Sequence, residues 1–259
     1  MRIVRTLAAL AAAVPLAMPA VSAARVCPGD SVQVGDVCVD KYEASVWSTT
    51  DVPTIRKIRR GTIASAVDLA LATQHGAGSD DYGTGCPDNA AGCTGHYAVS
   101  VAGVAPSADL TQFQAMAACR NAGKHLATNQ EWQAAAFGTP DPGLADNGMT
   151  DCATNGLAVV ATGSRASCVS DAGAFDTTGN LIEWVADWVP ASTACGGWSS
   201  FSDDDMCLSG ASTVTPGPGV LQRGGYYGGG VTGGTFSVIG ANVPWLGSAN
   251  VGFRCARRL

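Results

Sequence analysis

The chain is short of the side chains that most enzymes use to move protons and hold redox metals. It has three histidines in 259 residues, His75, His96 and His125, which are scattered along the sequence. Each reads as an ordinary surface or core histidine, and no HxxxH pair with a carboxylate is present to form an iron triad. There is no GxSxG, and no serine sits beside a plausible histidine base, so serine-hydrolase chemistry has no carrier. The glycine-rich run from Gly224 to Gly234 lacks the lysine and the strand-turn-helix context of a phosphate loop. CxxC and the Cys/His spacings of zinc sites are absent. No apolar run is long and unbroken enough to span a bilayer.

Arg2 and Arg5, an apolar run interrupted by Pro15 and Pro19, and Val21-Ser22-Ala23 have the layout of a secretory signal peptide over residues 1–24. Arg25-Val26 before Cys27 supplies no lipoprotein box, so a free, exported protein is expected, periplasmic or extracellular. About 235 residues remain (25–259), enough for one domain with a sizeable core. No repeat or linker divides them. Without Arg2 and Arg5 the balance is thirteen basic against twenty-one acidic residues, or −8. That sign argues against nucleic acid and anionic membrane as partners.

All ten cysteines lie beyond residue 24, and an even number in an exported chain reads as five disulfides. Pairing neighbours joins Cys27 with Cys38, Cys86 with Cys93, Cys152 with Cys168 and Cys195 with Cys207, leaving Cys119 and Cys255. Counting cannot settle connectivity, which stays open at this level.

Residues 27–47 alternate well enough for a hairpin about Val34-Gly35-Asp36. Residues 55–76 start with Arg56, Lys57, Arg59 and Arg60 and continue helically through Ile63, Val67, Leu69 and Leu71 to Gly76, with the basic cluster at a solvated helix start. Residues 77–95 form a glycine-rich loop whose Asp80, Asp81 and Asp88 read as surface acids. Phe113, Met116 and Ala117, with Cys119 and Ala122, mark a helix ended by Gly123. Thr128 and Glu131 form a capping box that opens a second helix through Trp132, Ala135 and Ala136. Residues 138–174 read as loop. Near the C-terminus come a strand from Thr235 to Ile239, a loop with Pro244 and Trp245 exposed, and a last strand through Val251, Phe253 and Cys255. Asp203 to Asp205 read as a solvated acidic run.

The stretch from Phe175 to Trp188, FDTTGNLIEWVADW, organises the rest. Gly179-Asn180 is a turn signal. Ile182, Trp184, Ala186 and Trp188 then alternate with Glu183 and Asp187, placing two tryptophans on one face of a central strand. Asp176 and Glu183 bracket the turn, so carboxylate and carbonyl oxygens can converge as a calcium ion requires. The competing reading has Asp176 capping the turn and Glu183 in an ion pair.

Three segments, in this order and spacing, resemble the formylglycine-generating enzyme or sulfatase-modifying factor family, a variant of the C-type lectin-like fold. They are ACRNAGKHLATNQEWQAAAF (118–137), GNLIEWVADW (179–188), and Arg223-Gly224-Gly225 with Gly252-Phe253-Arg254-Cys255-Ala256. The resemblance implies an α+β fold of short strands and two short helices with much irregular structure, stapled by disulfides. It implies a structural calcium held by the Asp176 carboxylate, the Gly179 and Leu181 carbonyls and the Glu183 carboxylate, and a disulfide between Cys119 and Cys255. Oxidase chemistry in the family needs two thiolates that hold copper(I). Their places here are Gly229 and Gly234, so copper is not expected, and with the histidines scattered iron is not expected either.

What remains is a binding surface. Tyr226, Tyr227, Thr232, Trp245, Ser248 and Asn250 lie on loops between short strands and combine rigid aromatic area with small polar groups. The competing reading packs both tyrosines and Trp245 inward. The leading expectation is a non-catalytic module that binds a glycan, peptide or protein. One alternative is an oxidase that converts a peptide cysteine to formylglycine. Another is a retroelement-diversified binding protein, because this segment also looks like the variable region of such proteins.

Overall fold

A computed structural model describes residues 26–189 and 219–259. The expectations for residues 1–24, for Cys195 with Cys207 and for Asp203 to Asp205 lie outside them.

The N-terminal hairpin forms from β1 (Ser31–Val34) and β2 (Val37–Asp40), paired antiparallel. Gly35 turns it with φ +61°, a left-handed conformation that glycine adopts without a Cβ clash. The last strand, β11 (Cys255–Arg258), lies between β2 and β6 (His125–Leu126). The N-terminal hairpin and the C-terminal strand therefore share one sheet. A second sheet has the order β10 (Val251–Phe253), β7 (Ile182–Val189), β8 (Gly219–Gly224), β9 (Gly234–Asn242). Within it β10 runs parallel to β7. The third sheet orders β4 (Thr73–His75), β3 (Ala44–Ser48) and β5 (His96–Ser100).

Helices α2 (Gln112–Asn121) and α3 (Asn129–Ala136) stand where the sequence places them, and both open on capping boxes, Thr111 with Gln114 and Thr128 with Glu131. An additional helix, α1 (Val52–Arg60), corrects the reading of residues 55–76. It is capped by Asp51, starts on Pro53 in its first turn and stops at Gly61, where φ is +66°. Three of its four basic residues, Lys57, Arg59 and Arg60, lie in the last turn rather than the first, where they complement the partial negative charge of the helix end. Beyond it only a short 3-10 turn, Ala66–Leu69, is helical. The supposed apolar face divides accordingly: Ile63 and Leu69 are buried, whereas Val67 and Leu71 are exposed.

The central strand also departs from simple alternation. Trp184 is fully buried, but Trp188 is 46% exposed. The register of β7 against β8 shifts between these two residues, and such a bulge re-aims the side chains that follow it. At the C-terminus the single expected strand is two, β10 and β11, which belong to different sheets and meet at Arg254. Pro244 is buried, its carbonyl accepting the Gln112 N–H at 3.0 Å.

Among the described residues four disulfides form: Cys27–Cys38, Cys86–Cys93, Cys152–Cys168 and Cys119–Cys255. The last joins α2 to β11 across 136 positions. Beside it Lys124, buried, bridges Asp30 at 2.9 Å and Asp40 at 2.5 Å. Asp40 also accepts the Cys255 N–H at 3.0 Å. Bridge and ion network thus lock the N-terminal hairpin to the C-terminal strand.

Candidate functional site

Arg254 sits where the chain leaves β10 for β11, with no exposed surface. Its Nε donates to Glu183 Oε2 at 2.7 Å and its Nη2 to Glu183 Oε1 at 2.5 Å. Nη1 reaches the Asp40 carbonyl at 3.2 Å, and Nη2 also reaches the Phe175 carbonyl at 3.0 Å. Trp132 Nε1, from α3, donates to Glu183 Oε2 at 2.7 Å. Glu183 is therefore committed through both oxygens, which is the ion-pair role. A two-bond guanidinium–carboxylate fork is the geometry in which a buried pair is best satisfied.

Two more carboxylates close the cluster. Glu43, just before β3 and fully buried, accepts the Leu181 N–H at 2.9 Å and an Asn180 Nδ2–H at 2.5 Å. Asp176, with φ +57° and 1% exposed, accepts the Gly163 N–H at 2.6 Å. Burial pushes the Asp176 carboxyl up to about 6, the Glu183 charge adding to it while the Gly163 N–H and Arg254 oppose. Burial, then the charges of Asp176 and Glu183, hold Glu43 well above the usual carboxylate range. Burial works against the Arg254 charge, but Glu183 and the other two carboxylates hold its pKa above the ordinary value. The sequence reading missed Glu43. It is a lone glutamate before an apolar strand, 140 positions from Glu183, and only the folded register of β3 against the turn brings it in.

The turn between Asp176 and β7 is a hub. Gly179 has φ +75°, and a Cβ there would collide with the Ala153 carbonyl, so the position requires glycine. Its N–H donates to the Gly224 carbonyl at 3.1 Å, the Asn180 carbonyl accepts the Tyr227 N–H at 2.9 Å, and the Ile182 N–H donates to the Asn250 carbonyl at 3.0 Å. Both C-terminal loops thus hang on residues 179–182.

Those loops carry the expected binding residues. Tyr226 and Tyr227 are half-buried with rings edge to face at 5.5 Å, Thr232 is exposed and Trp245 is 54% exposed. Ser248 Oγ donates to Asn250 Oδ1 at 2.6 Å, and both residues are half-buried. Tyr226 packs partly against the main core, so inward packing holds in part for the tyrosines and fails for Trp245. Gly229 precedes a 3-10 turn, Gly230–Thr232, and its N–H donates to the Tyr226 carbonyl at 2.8 Å. Gly234 has φ +147°.

The histidines, scattered in sequence, are not all apart in space. The His75 and His96 rings lie 4.9 Å apart. Among the described residues, only Cys86, Cys93 and His96 bring three side-chain donor atoms of metal-binding type within 4.8 Å of one another. Asp80, Asp81 and Asp88 form no such group.

The family model that matches this chain is the sulfatase-modifying factor enzyme 1-like domain, over residues 85–259. The chain belongs to this family. The match includes both ends of the Cys119–Cys255 bridge, the 176–183 turn and the two C-terminal loops. Among solved structures the Major Tropism Determinant P3c variant superposes with a TM-score of 0.50 at 16% identity, over 90% of this chain and 53% of that one. The I1 variant of the same protein gives 0.50 at 17% identity over the same shares. PvdO from Pseudomonas aeruginosa gives 0.39 at 15% identity, over 91% of this chain and 100% of that one. The chain spans about half the length of the first two. At these identities the likeness shows the fold alone, α+β and C-type lectin-like. No curated protein sequence matches the chain.

Proposed function

We propose that this family member is an exported, non-catalytic domain that binds a ligand through the rim formed by Tyr226, Tyr227, Thr232, Trp245, Ser248 and Asn250. The observation that carries this reading is the glycine at positions 229 and 234. Neither has a side chain to hold copper(I) or attack sulfur, and the positive φ of Gly234 is one that cysteine rarely adopts. Every described cysteine is in a disulfide. The leader-like sequence pattern of residues 1–24 and the four disulfides among the described residues support export.

A structural calcium at the turn belongs to the same proposal, with a reduced ligand set. Glu183 is held by Arg254, which leaves the Asp176 carboxylate and the Gly179 and Leu181 carbonyls as oxygen donors of the type calcium takes. Support comes from charge: Glu43, Asp176 and Glu183 face one fully buried guanidinium, with Arg165 acting on Asp176 from nearby. The surplus negative charge needs protons or a cation.

The binding reading is tested on a glycan and peptide array. A hit should be lost on Tyr227→Ala or Trp245→Ala, and a hit that survives both overturns the rim assignment. A second reading, a diversified receptor, is favoured by the same aromatic and small polar residues lying between Arg223-Gly224-Gly225 and Gly252-Phe253-Arg254. A near-copy of that coding segment, differing at adenines and lying beside a reverse transcriptase gene, would support it, and a genome without one rejects it.

A further inference from the structure

We infer that opening the Cys86–Cys93 disulfide creates a three-ligand site for a divalent cation of zinc type, made of two thiolates and the His96 imidazole. The three donor atoms already lie within 4.8 Å of one another. Both cysteines are 1% exposed and His96 is 7% exposed. His96 Nδ1 is buried without a hydrogen-bond partner, a state that native interiors seldom leave without a role. Neutral imidazole with two thiolates is a donor set that zinc accepts, with a fourth position left for water or another ligand.

The backbones of all three residues are clamped from outside the bridge. Gln114 Nε2, on α2, donates to the Cys86 carbonyl at 2.6 Å. Asn121 Nδ2, at the end of the same helix, donates to the Cys93 carbonyl at 3.0 Å and to the His96 carbonyl at 2.9 Å. Thr111 Oγ1 holds the Asp88 carbonyl of the intervening loop at 2.6 Å. When the sulfur–sulfur bond breaks, α2 therefore keeps the ligands in place. Bonds of about 2.3 Å to a tetrahedral zinc set the sulfurs roughly 3.8 Å apart, a distance that side-chain rotation can supply.

The neighbours favour the neutral ring. Burial, then the adjacent His75, lower the His96 pKa, with the Thr94 backbone and then Asp81 opposing. His75 is a neighbour and not a ligand: its Nε2 meets Ser48 Oγ at 2.7 Å and its Nδ1 meets the Asp81 carbonyl at 3.0 Å. The redox step needs a dithiol reductant. Its two sulfurs join as the Cys86–Cys93 bond breaks, two electrons and two protons pass to the cysteines, and metal binding then releases those protons. Loop 77–95 so has two closed forms, one held by sulfur and one by metal.

The test titrates cobalt(II) into the full chain before and after partial reduction with a phosphine, then adds zinc(II). The reduced chain should show thiolate-to-cobalt charge-transfer absorption that zinc removes, and the oxidised chain should not. His96→Gln should weaken binding tenfold or more, and Cys86→Ser with Cys93→Ser should abolish the band. Because other bridges also open, mass spectrometry after alkylation reads each cysteine separately. Zinc should slow labelling of Cys86 and Cys93 at least tenfold over Cys27 and Cys152. A band absent on reduction, unchanged by His96→Gln or present without the two cysteines, or labelling that zinc does not slow, overturns the site.

Discussion

The cluster around Arg254 and the rim around Tyr227 lean on the same turn, one from inside and one from outside, yet they are built by opposite rules. In the cluster Glu183, Glu43 and Asp176 lie within 1% of full burial and all accept hydrogen bonds. In the rim aromatic rings stand half-buried or exposed on a glycine-rich backbone, tied down mainly through main-chain bonds such as Tyr227 N–H to the Asn180 carbonyl. A buried charge whose partner is lost is severely penalised, so the cluster tolerates little change. Side chains supported through the main chain can be exchanged without disturbing that support. The same scaffold can therefore keep its frame and vary its face.

Substitutions should separate the two regions by size of effect. The largest loss is expected from removing the bridge that ties α2 to β11: Cys119→Ala with Cys255→Ala should cost about 5 kcal/mol in the chain-entropy model, against about 2.5 kcal/mol for Cys86→Ala with Cys93→Ala, read by urea unfolding. If the two cost the same, the long bridge is not what closes the chain. Next, Glu183→Ala should cost roughly 3 to 5 kcal/mol because buried Arg254 loses its two-bond carboxylate partner, while Glu183→Met combined with Arg254→Met should cost markedly less. A mild single variant would show that the cluster does not fasten the turn.

Asp176 gives a pH signature. Its folded pKa, about 6, lies above the unfolded value of roughly 3.9, so the folded state holds the proton more tightly. Stability from this group is then full at low pH and declines as pH rises from about 4 to 6, by roughly 3 kcal/mol. In chelator the difference between wild type and Asp176→Asn should follow that decline, and saturating calcium should remove it. A difference flat with pH in chelator removes the assignment, and a decline that calcium leaves unchanged removes the cation. The smallest change is expected at the rim, where Trp245→Ala should shift stability within about 0.5 kcal/mol. A larger loss by thermal melting would make Trp245 part of the frame.

Much of the frame was legible because it rests on local chemistry. The turn at Gly35, the helix at Gln112–Asn121 and the Thr128 capping box each announce themselves within a few residues. The Cys119–Cys255 bridge came from family resemblance, not from local pattern. What stayed hidden depends on distant register. Glu43 enters the cluster only through the pairing of strands far apart in sequence, and Trp188 leaves the core because of a bulge that alternation does not announce. The helix over residues 55–76 was overextended because apolar spacing outweighed Gly61, whose left-handed backbone ends it. His96, by contrast, stands only three residues beyond Cys93 in sequence, a short spacing that the sequence reading passed over.

The central claim concerns Gly229 and Gly234, and one assay meets it directly. The purified chain is incubated with copper(I) and a sulfatase-type peptide containing cysteine, and the peptide is weighed by mass spectrometry for conversion of its thiol to an aldehyde. The account predicts that the peptide comes back unchanged, both for the wild type and after Gly229→Cys with Gly234→Cys, since position 234 keeps a glycine backbone. Aldehyde formed by the wild type at turnover rates would contradict it.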